Sequence, residues 1–123
     1  MKKKNILLFS ILILFSSIAW GVDNGVISYK VIERKELGTI KISLDVLVNL
    51  VDGRLPNKQE LASLSSYLVS KENKHDRSFV LFYLPEMKVG YGAYATAHHN
   101  PKMKVNIMEF MLYDYPQYRK FIK

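Results

Sequence analysis

Apolar and polar residues alternate along residues 39–50, and this is the clearest pattern in the chain. Its apolar members occupy every second position: Ile40, Ile42, Leu44, Val46, Val48 and Leu50. A period of two over a dozen residues is typical of a strand with one packed and one wet face. Residues 26–36 alternate as well, with Tyr29 expected on one face and Arg34 on the other. Gly38 can form the turn between the two segments, so they are predicted to pair as a hairpin.

A helix start signal follows this hairpin. Asn57 is the expected N-cap, and Glu60 stands three residues later as its capping-box partner. The following apolar positions form one narrow helical stripe: Leu61, Leu64 and Leu68. The charged residues 72–77, which include His75, are expected to form a solvated loop after the helix.

Three further strands are predicted downstream. Residues 78–84 are apolar on both faces, which suits a central strand that is covered on both sides. Pro85 ends that strand because it has no N–H to donate. Residues 91–98 alternate small with aromatic or polar side chains and predict a fourth strand. Residues 103–107 alternate again and predict a fifth.

The C-terminal residues 109–123 are rich in aromatic side chains. A short final helix is expected over residues 117–122, with Pro116 at the N1 position that begins it. These aromatics are expected to cover the sheet; the alternative is contact with a partner or peripheral contact with a membrane. The element order is β-β-α-β-β-β. We therefore expect an α+β fold, an antiparallel sheet of about five strands with one main helix on one face and a short C-terminal helix or tail.

Residues 1–21 have the layout of a secretory signal peptide. Three lysines precede an apolar run over residues 6–19, and Ala19 and Gly21 put small residues at positions −3 and −1. The run is shorter than the roughly 20 residues that a membrane-spanning helix needs. We expect cleavage after Gly21, one domain over residues 22–123, and export to a bacterial periplasm or beyond. An uncleaved N-terminal anchor is the alternative.

Charge and cysteine content narrow the classes of partner. Loss of the three N-terminal lysines leaves 15 Lys and Arg against 11 Asp and Glu, so the net charge falls from +7 to +4. This modest charge and the expected export argue against nucleic acid as a partner. A mildly basic face still suits an acidic protein, a cell-wall polymer or an anionic membrane. The chain has no cysteine, so the core alone must stabilise the domain.

One segment resembles a known pattern. Residues 82–98 read Phe-Tyr-Leu-Pro-Glu-Met-Lys-Val-Gly-Tyr-Gly-Ala-Tyr-Ala-Thr-Ala-His. Small, poorly characterised bacterial domains carry a similar segment, Tyr-Leu-Pro-Gly-Met followed by Gly-x-Gly-Ala-aromatic-Ala-Thr and a histidine. Together with the preceding helix, which matches loosely, the likeness spans half of the chain after Gly21. Glu86 stands where the pattern has Gly, and Tyr94 where Trp is more usual. The resemblance implies a shared fold and a shared surface, and it implies no reaction.

The same segment predicts a binding surface. It mixes aromatic residues and Met with hydrogen-bonding groups, as protein interfaces do. The expected contact residues are Tyr83, Met87, Gly90, Tyr91, Gly92, Tyr94, Thr96, His98 and His99. The alternative interpretation of these residues is a half-buried sheet face under the C-terminal tail.

No cofactor, metal or catalytic site is expected. Gly90 and Gly92 lack a third glycine and precede a strand, so they do not form a dinucleotide-binding fingerprint. His98 and His99 are neighbours on a predicted strand and point to opposite faces, which disfavours a shared metal ion. No nucleophile motif accompanies either histidine.

Three hypotheses remain for the function. The first is an exported, non-catalytic binding module for a protein or a cell-envelope polymer, for example an inhibitor or an immunity-type protein. The second is a small envelope enzyme that uses His98 or His99. The third is a structural component of an envelope or secretion assembly, docked through the aromatic tail.

Overall fold

The structure, a computed structural model, describes residues 27–100 and 102–122. The predicted signal peptide, residues 1–21, lies outside these ranges. Within them the chain forms the following elements: β1 (Tyr29–Leu37), β2 (Lys41–Val48), α1 (Lys58–Ser70), β3 (Arg77–Tyr83), β4 (Ala95–His99), β5 (Met103–Ile107) and two 3₁₀ helices (Glu109–Asp114 and Pro116–Phe121). No helix in the described ranges is both long enough and apolar enough to cross a membrane.

The five strands form one sheet and lie in it in the order in which they occur along the chain. The predicted α+β fold, with five strands and one main helix, is confirmed. The neighbouring strands are antiparallel except for β2 and β3, which are parallel, so the expected fully antiparallel sheet is wrong at this pair. The physical reason is the length of α1. Its 13 residues extend about 20 Å, so the helix returns the chain to the end of the sheet at which β2 began.

One face of the sheet packs into a core with α1. Every second residue of β2 is buried in this core, as the alternation predicted: Ile42, Leu44, Val46 and Val48. The three leucines of the predicted helical stripe belong to the same buried cluster: Leu61, Leu64 and Leu68. The central strand β3 adds Val80 and Phe82. The other face of the sheet, which points away from α1, is described below.

Asn57 begins α1 as predicted. Its side-chain oxygen accepts a hydrogen bond from the Glu60 N–H at 2.8 Å, and the Glu60 carboxylate accepts one from the Asn57 N–H at 2.9 Å. Arg54 donates to both oxygens of the same carboxylate at 2.9 and 2.7 Å. The hydrogen bonds from Arg54 are the main cause that lowers the pKa of the Glu60 carboxyl, and the hydrogen bond from the Asn57 N–H lowers it further. The capping box therefore also fixes the loop that precedes the helix.

A β-bulge changes the face on which the second half of β1 lies. The pairing of β1 with β2 shifts register just before Glu33. Arg34 then pairs with Leu44 and shares the helix side of the sheet with Tyr29, so the predicted placement of Arg34 on the opposite face is wrong. On the helix side Arg34 Nη2 lies 2.8 Å from Glu72 Oε1. The bulge thereby allows β1 to contact the end of α1.

His75 is not solvated, contrary to the sequence prediction. Its side chain is 1 % exposed, and Nε2 lies 2.7 Å from Glu36 Oε2. Its Nδ1 lies 2.7 Å from the Asn73 carbonyl oxygen. The hydrogen bond from His75 is the main cause that lowers the pKa of the Glu36 carboxyl. His75 thus connects the loop after α1 to the end of β1. The local charge pattern does not reveal this contact, because Glu36 is far from His75 in the chain.

Candidate functional site

Residues 82–98, the segment predicted to form a binding surface, fold into the end of β3, a compact loop and β4. β4 begins at Ala95, later than predicted, because Gly90 and Gly92 have φ values of +94° and +120°. A strand needs negative φ, and only glycine adopts such positive values readily. Glu86, at the position where the resembling pattern has glycine, also has a positive φ of 74°. The loop therefore depends on backbone conformations that an alternating pattern does not show.

We expect Glu86→Gly to raise the free energy of unfolding by about 1 kcal/mol, because it removes the steric cost of a left-handed residue that has a Cβ. Urea unfolding measures this gain. Glu86→Ala is the matched control, since it keeps the Cβ and loses only the hydrogen bond that Gln117 donates to Glu86 at 3.1 Å. The control should be no more stable than the wild type. Equal stability of the glycine and alanine variants would contradict the backbone explanation.

Tyrosine hydroxyls hold this loop in place. Three hydrogen bonds each join a tyrosine hydroxyl to a backbone group of the loop: Gly90 N–H to Tyr83 at 3.2 Å, Lys88 N–H to Tyr115 at 3.1 Å, and Tyr118 to the Pro85 carbonyl at 2.6 Å. Two of these tyrosines belong to the C-terminal tail. The tail and the loop therefore form one hydrogen-bonded unit.

Tyr94 connects the loop to the start of α1. Its hydroxyl donates to the Pro56 carbonyl at 2.8 Å. Burial is the main cause that raises the pKa of Tyr94 to about 12. The expected place of Tyr83, Met87 and Tyr94 on an exposed strip is wrong, because their exposed fractions are 2, 6 and 2 %. Alternation along the chain does not show that the tail packs over the loop.

The C-terminal tail is part of the core. Leu112 and Tyr118, one from each 3₁₀ helix, are buried. The Sδ–Cε end of Met111 occupies the space beside Gly92, so a Cβ at that glycine would collide with Met111 Cε. The predicted final helix is present as a 3₁₀ helix that begins at Pro116. The 3₁₀ helix Glu109–Asp114 was not predicted.

The remaining predicted contact residues lie in three separate environments. Tyr91 is 73 % exposed at the tip of the loop, and Lys88 Nζ lies 5.1 Å from the centroid of its ring. Thr96 and His98 lie on β4 and face away from α1, whereas His99 faces α1. The structure therefore does not bring the nine predicted residues together into one surface.

Among the described residues, the face of the sheet that points away from α1 is partly open. Tyr83, which pairs with Leu47 on this face, is buried, and its hydroxyl accepts a hydrogen bond from the Gly90 N–H. The remainder of the face, from Arg77 to Leu81 on β3 and across the neighbouring strands, keeps some exposure, and we call it the open sheet face. Strand register arranges its residues in three adjacent rows that run across the strands. The rows are Leu37, Lys41 and Arg77; then Lys35, Ser43, Phe79, His98 and Lys104; then Glu33, Asp45, Leu81, Thr96 and Asn106. Each of these residues is exposed or half-buried. The middle row crosses all five strands without interruption.

Phe79 lies at the centre of this face and is held by its neighbours. The ring of His98 packs edge-on against it, with 4.3 Å between the ring centroids. Lys41 Nζ lies 5.0 Å from the centroid of the Phe79 ring. In the next row, burial raises the pKa of the Asp45 carboxyl. An apolar ring offers packing area to a partner, and cations around it favour a partner of opposite charge.

His99 belongs to a different environment on the helix side of the sheet. Its Nε2 lies 2.8 Å from Ser65 Oγ, a distance suitable for a serine nucleophile and its base. Ser65 is 0 % exposed, however, so a substrate has no access to its hydroxyl in this conformation. Burial, and secondarily His98, lowers the pKa of His99. The pair therefore satisfies a buried serine inside the core.

We expect the stability of the protein to fall as the pH drops below about 6.5, because unfolded His99 binds a proton there more readily than folded His99. His99→Gln should remove this part of the pH dependence. The measurement is urea unfolding at about pH 7.5 and about pH 5.5. His98→Gln, on the exposed face, is the control and should keep most of the difference. The same pH dependence in wild type and His99→Gln would contradict this assignment.

No protein-family model, no curated protein and no solved structure shows significant similarity to the chain. Within residues 27–100 and 102–122, no three His, Cys, Asp or Glu side chains are grouped so that they could hold a metal ion. The open sheet face is therefore identified as the candidate site from its own geometry.

Proposed function

We propose that this protein is a small exported, non-catalytic binding module that contacts a protein or a cell-envelope partner through the open sheet face. The observation that carries the proposal is the exposed or half-buried state of every residue in the three rows of this face. It presents Phe79 and Leu81 half-buried in the middle of a five-stranded sheet. Contiguous apolar groups rimmed by polar side chains mark interaction sites in soluble proteins. An inhibitor or an immunity-type protein is one concrete form of such a module.

The division of residues 82–98 into buried and accessible side chains also supports this proposal. The buried tyrosines, Tyr83 and Tyr94, are engaged in hydrogen bonds that build the fold. Contact through the open sheet face therefore falls to its two members on β4, the half-buried Thr96 and the exposed His98. The signal-peptide layout of residues 1–21 supports export. Cell fractionation with sequencing of the mature N-terminus tests that part of the proposal, which expects a chain that starts after Gly21.

Site-specific photocrosslinking tests the contact surface. A photoreactive phenylalanine analogue at position 98 lies on the open sheet face, whereas the same group at position 63 lies on the exposed side of α1. In cells that make the protein, irradiation should give a discrete covalent adduct from position 98 and none from position 63. Absence of an adduct from position 98, or an adduct only from position 63, would overturn the proposed surface.

The Ser65–His99 pair favours a second candidate function, a small hydrolase. Its geometry is suitable, but Ser65 is fully buried. We expect a fluorophosphonate probe, which labels activated serines, to leave the folded protein unmodified. Labelling that is abolished in both Ser65→Ala and His99→Gln would establish the hydrolase and reject the non-catalytic proposal. Mass spectrometry of the intact protein gives the readout.

A further inference from the structure

We infer that the open sheet face binds an acidic protein segment, which places an apolar side chain on Phe79 and carboxylates on the flanking cations. This inference rests on the proposed function and specifies the chemistry of the partner. The residues that carry it are mostly ones that the sequence did not single out: Lys35, Lys41, Arg77, Phe79 and Lys104.

Cations dominate two of the three rows. The middle row and the three-residue row beside it hold four cations: Lys35, Lys41, Arg77 and Lys104. Neither row contains an Asp or a Glu. Among the described residues, Lys35 lies 4.0 Å from Glu33, and no carboxylate forms an ion pair with any of the other three. These three cations are therefore available to an acidic partner.

Phe79 lies midway between the two ends of the middle row, Lys35 and Lys104. Neighbouring strands are about 4.8 Å apart, so two strand spacings, about 10 Å, separate the backbone of β3 from that of β1 and of β5. An extended peptide advances about 3.3 Å per residue. A peptide that crosses the strands with an apolar side chain on Phe79 therefore brings residues two or three positions away on each side to the terminal lysines. Acidic residues at those positions would complete the ion pairs.

The third row argues for a protein rather than a uniform polyanion. It places Glu33 and Asp45 on neighbouring strands beside the cationic rows. Consecutive rows on one face lie two residues apart along a strand, about 7 Å, which is within the screening length at physiological salt. A nucleic acid or an anionic polymer that covers the face would be repelled by these two carboxylates. A short acidic segment that follows the row of Phe79 places no charge directly opposite them.

Defined peptides test this inference. The probe is Glu-Glu-Ser-Trp-Ser-Glu-Glu, with a matched peptide in which Gln replaces each Glu, another in which Ala replaces Trp, and a short oligouridylate. NMR titration should show shifts at Phe79, His98 and Lys104 with the acidic Trp peptide. Binding should weaken at least tenfold with either matched peptide. It should also weaken as salt rises from about 50 to about 300 mM.

Charge-matched variants identify the residues responsible. The triple variant Lys41→Gln, Arg77→Gln and Lys104→Gln should bind the acidic Trp peptide about tenfold more weakly, because it loses three exposed ion pairs. A control variant removes the same charge elsewhere: Lys58→Gln, Lys74→Gln and Lys120→Gln. It should bind like the wild type. Thermal unfolding of both variants checks that the fold is intact.

The outcomes separate this inference from the proposed function. Equal binding of the acidic and Gln peptides, or no loss in the triple variant, overturns the inference. Tighter binding of oligouridylate than of the acidic peptide also overturns it, in favour of an anionic polymer. If an adduct from position 98 still forms in either case, the proposed function stands. If neither the adduct nor the peptide binding is observed, both fall.

Discussion

Replacement of Tyr94 by alanine is expected to lower the free energy of unfolding by about 3–5 kcal/mol, the range for removal of a large buried aromatic ring. The Tyr94 ring is almost fully buried, and its hydroxyl donates to the Pro56 carbonyl. The substitution leaves a cavity between the loop and the start of α1, and it leaves a buried carbonyl without its donor. A change at this position therefore tests the core and not the proposed contact surface.

Tyr94→Phe is the matched control for this prediction. It keeps the ring and removes only the hydroxyl, so the expected loss is about 1–2 kcal/mol. Urea denaturation followed by circular dichroism gives both values. A Tyr94→Ala variant as stable as the wild type would show that the ring is not part of the core.

Deletion of residues 109–123 is expected to abolish cooperative unfolding. The tail contributes the buried Leu112 and Tyr118. Loss of each such side chain costs about 2–5 kcal/mol. Together these losses approach the whole stability of a domain of this size, about 5–15 kcal/mol. The deletion also removes the hydrogen bonds to Lys88 and Pro85 that fix the loop.

Near-ultraviolet circular dichroism and a thermal scan of the truncated protein measure this effect. The control keeps the tail and changes its two exposed aromatics, Phe110→Ala with Tyr113→Ala, which are 62 and 57 % exposed. That variant should stay within about 0.5 kcal/mol of the wild type. A truncated protein that still unfolds cooperatively would mean that the tail is an appendage, as the assembly hypothesis requires.

The sequence alone was sufficient where structure depends on neighbours in the chain. The capping box of Asn57 and Glu60 and the period-two burial of β2 are local features, and both are present. The bounds of β5 also agree with the prediction. Each of these features is decided by hydrogen bonds or side-chain alternation within about a dozen residues.

Backbone conformation and strand direction were harder to predict. The positive φ values of Glu86, Gly90 and Gly92 delay the start of β4, and an apolar–polar pattern carries no information on φ. The bulge before Glu33 adds one residue to β1, so the residues after it lie on the face opposite to the one that simple alternation predicts. The parallel pairing of β2 with β3 was accessible in principle, because a helix about as long as a strand returns the chain to its starting end.

The candidate site was only partly accessible from the sequence. Thr96 and His98 were selected, but Phe79, Lys41 and Lys104 come from other strands and join them only through sheet register. The apolar run of residues 78–84 did predict a central strand. The expectation that this strand is covered on both sides is wrong for Phe79 and Leu81, which stay half-buried on the outer face, whereas Tyr83 further along the same face is buried.

Tyrosine nitration mapped by mass spectrometry is the most direct test of the division of roles within residues 82–98. This division separates buried tyrosines that build the fold from exposed residues that are free for contact. Nitration requires access to the ring and the phenolate form, and burial raises the pKa of both Tyr94 and Tyr118. In the folded protein Tyr91 should be modified rapidly, while Tyr83, Tyr94 and Tyr118 should remain unmodified until urea unfolds the chain. Modification of Tyr94 in the folded protein at the rate of Tyr91 would contradict this division.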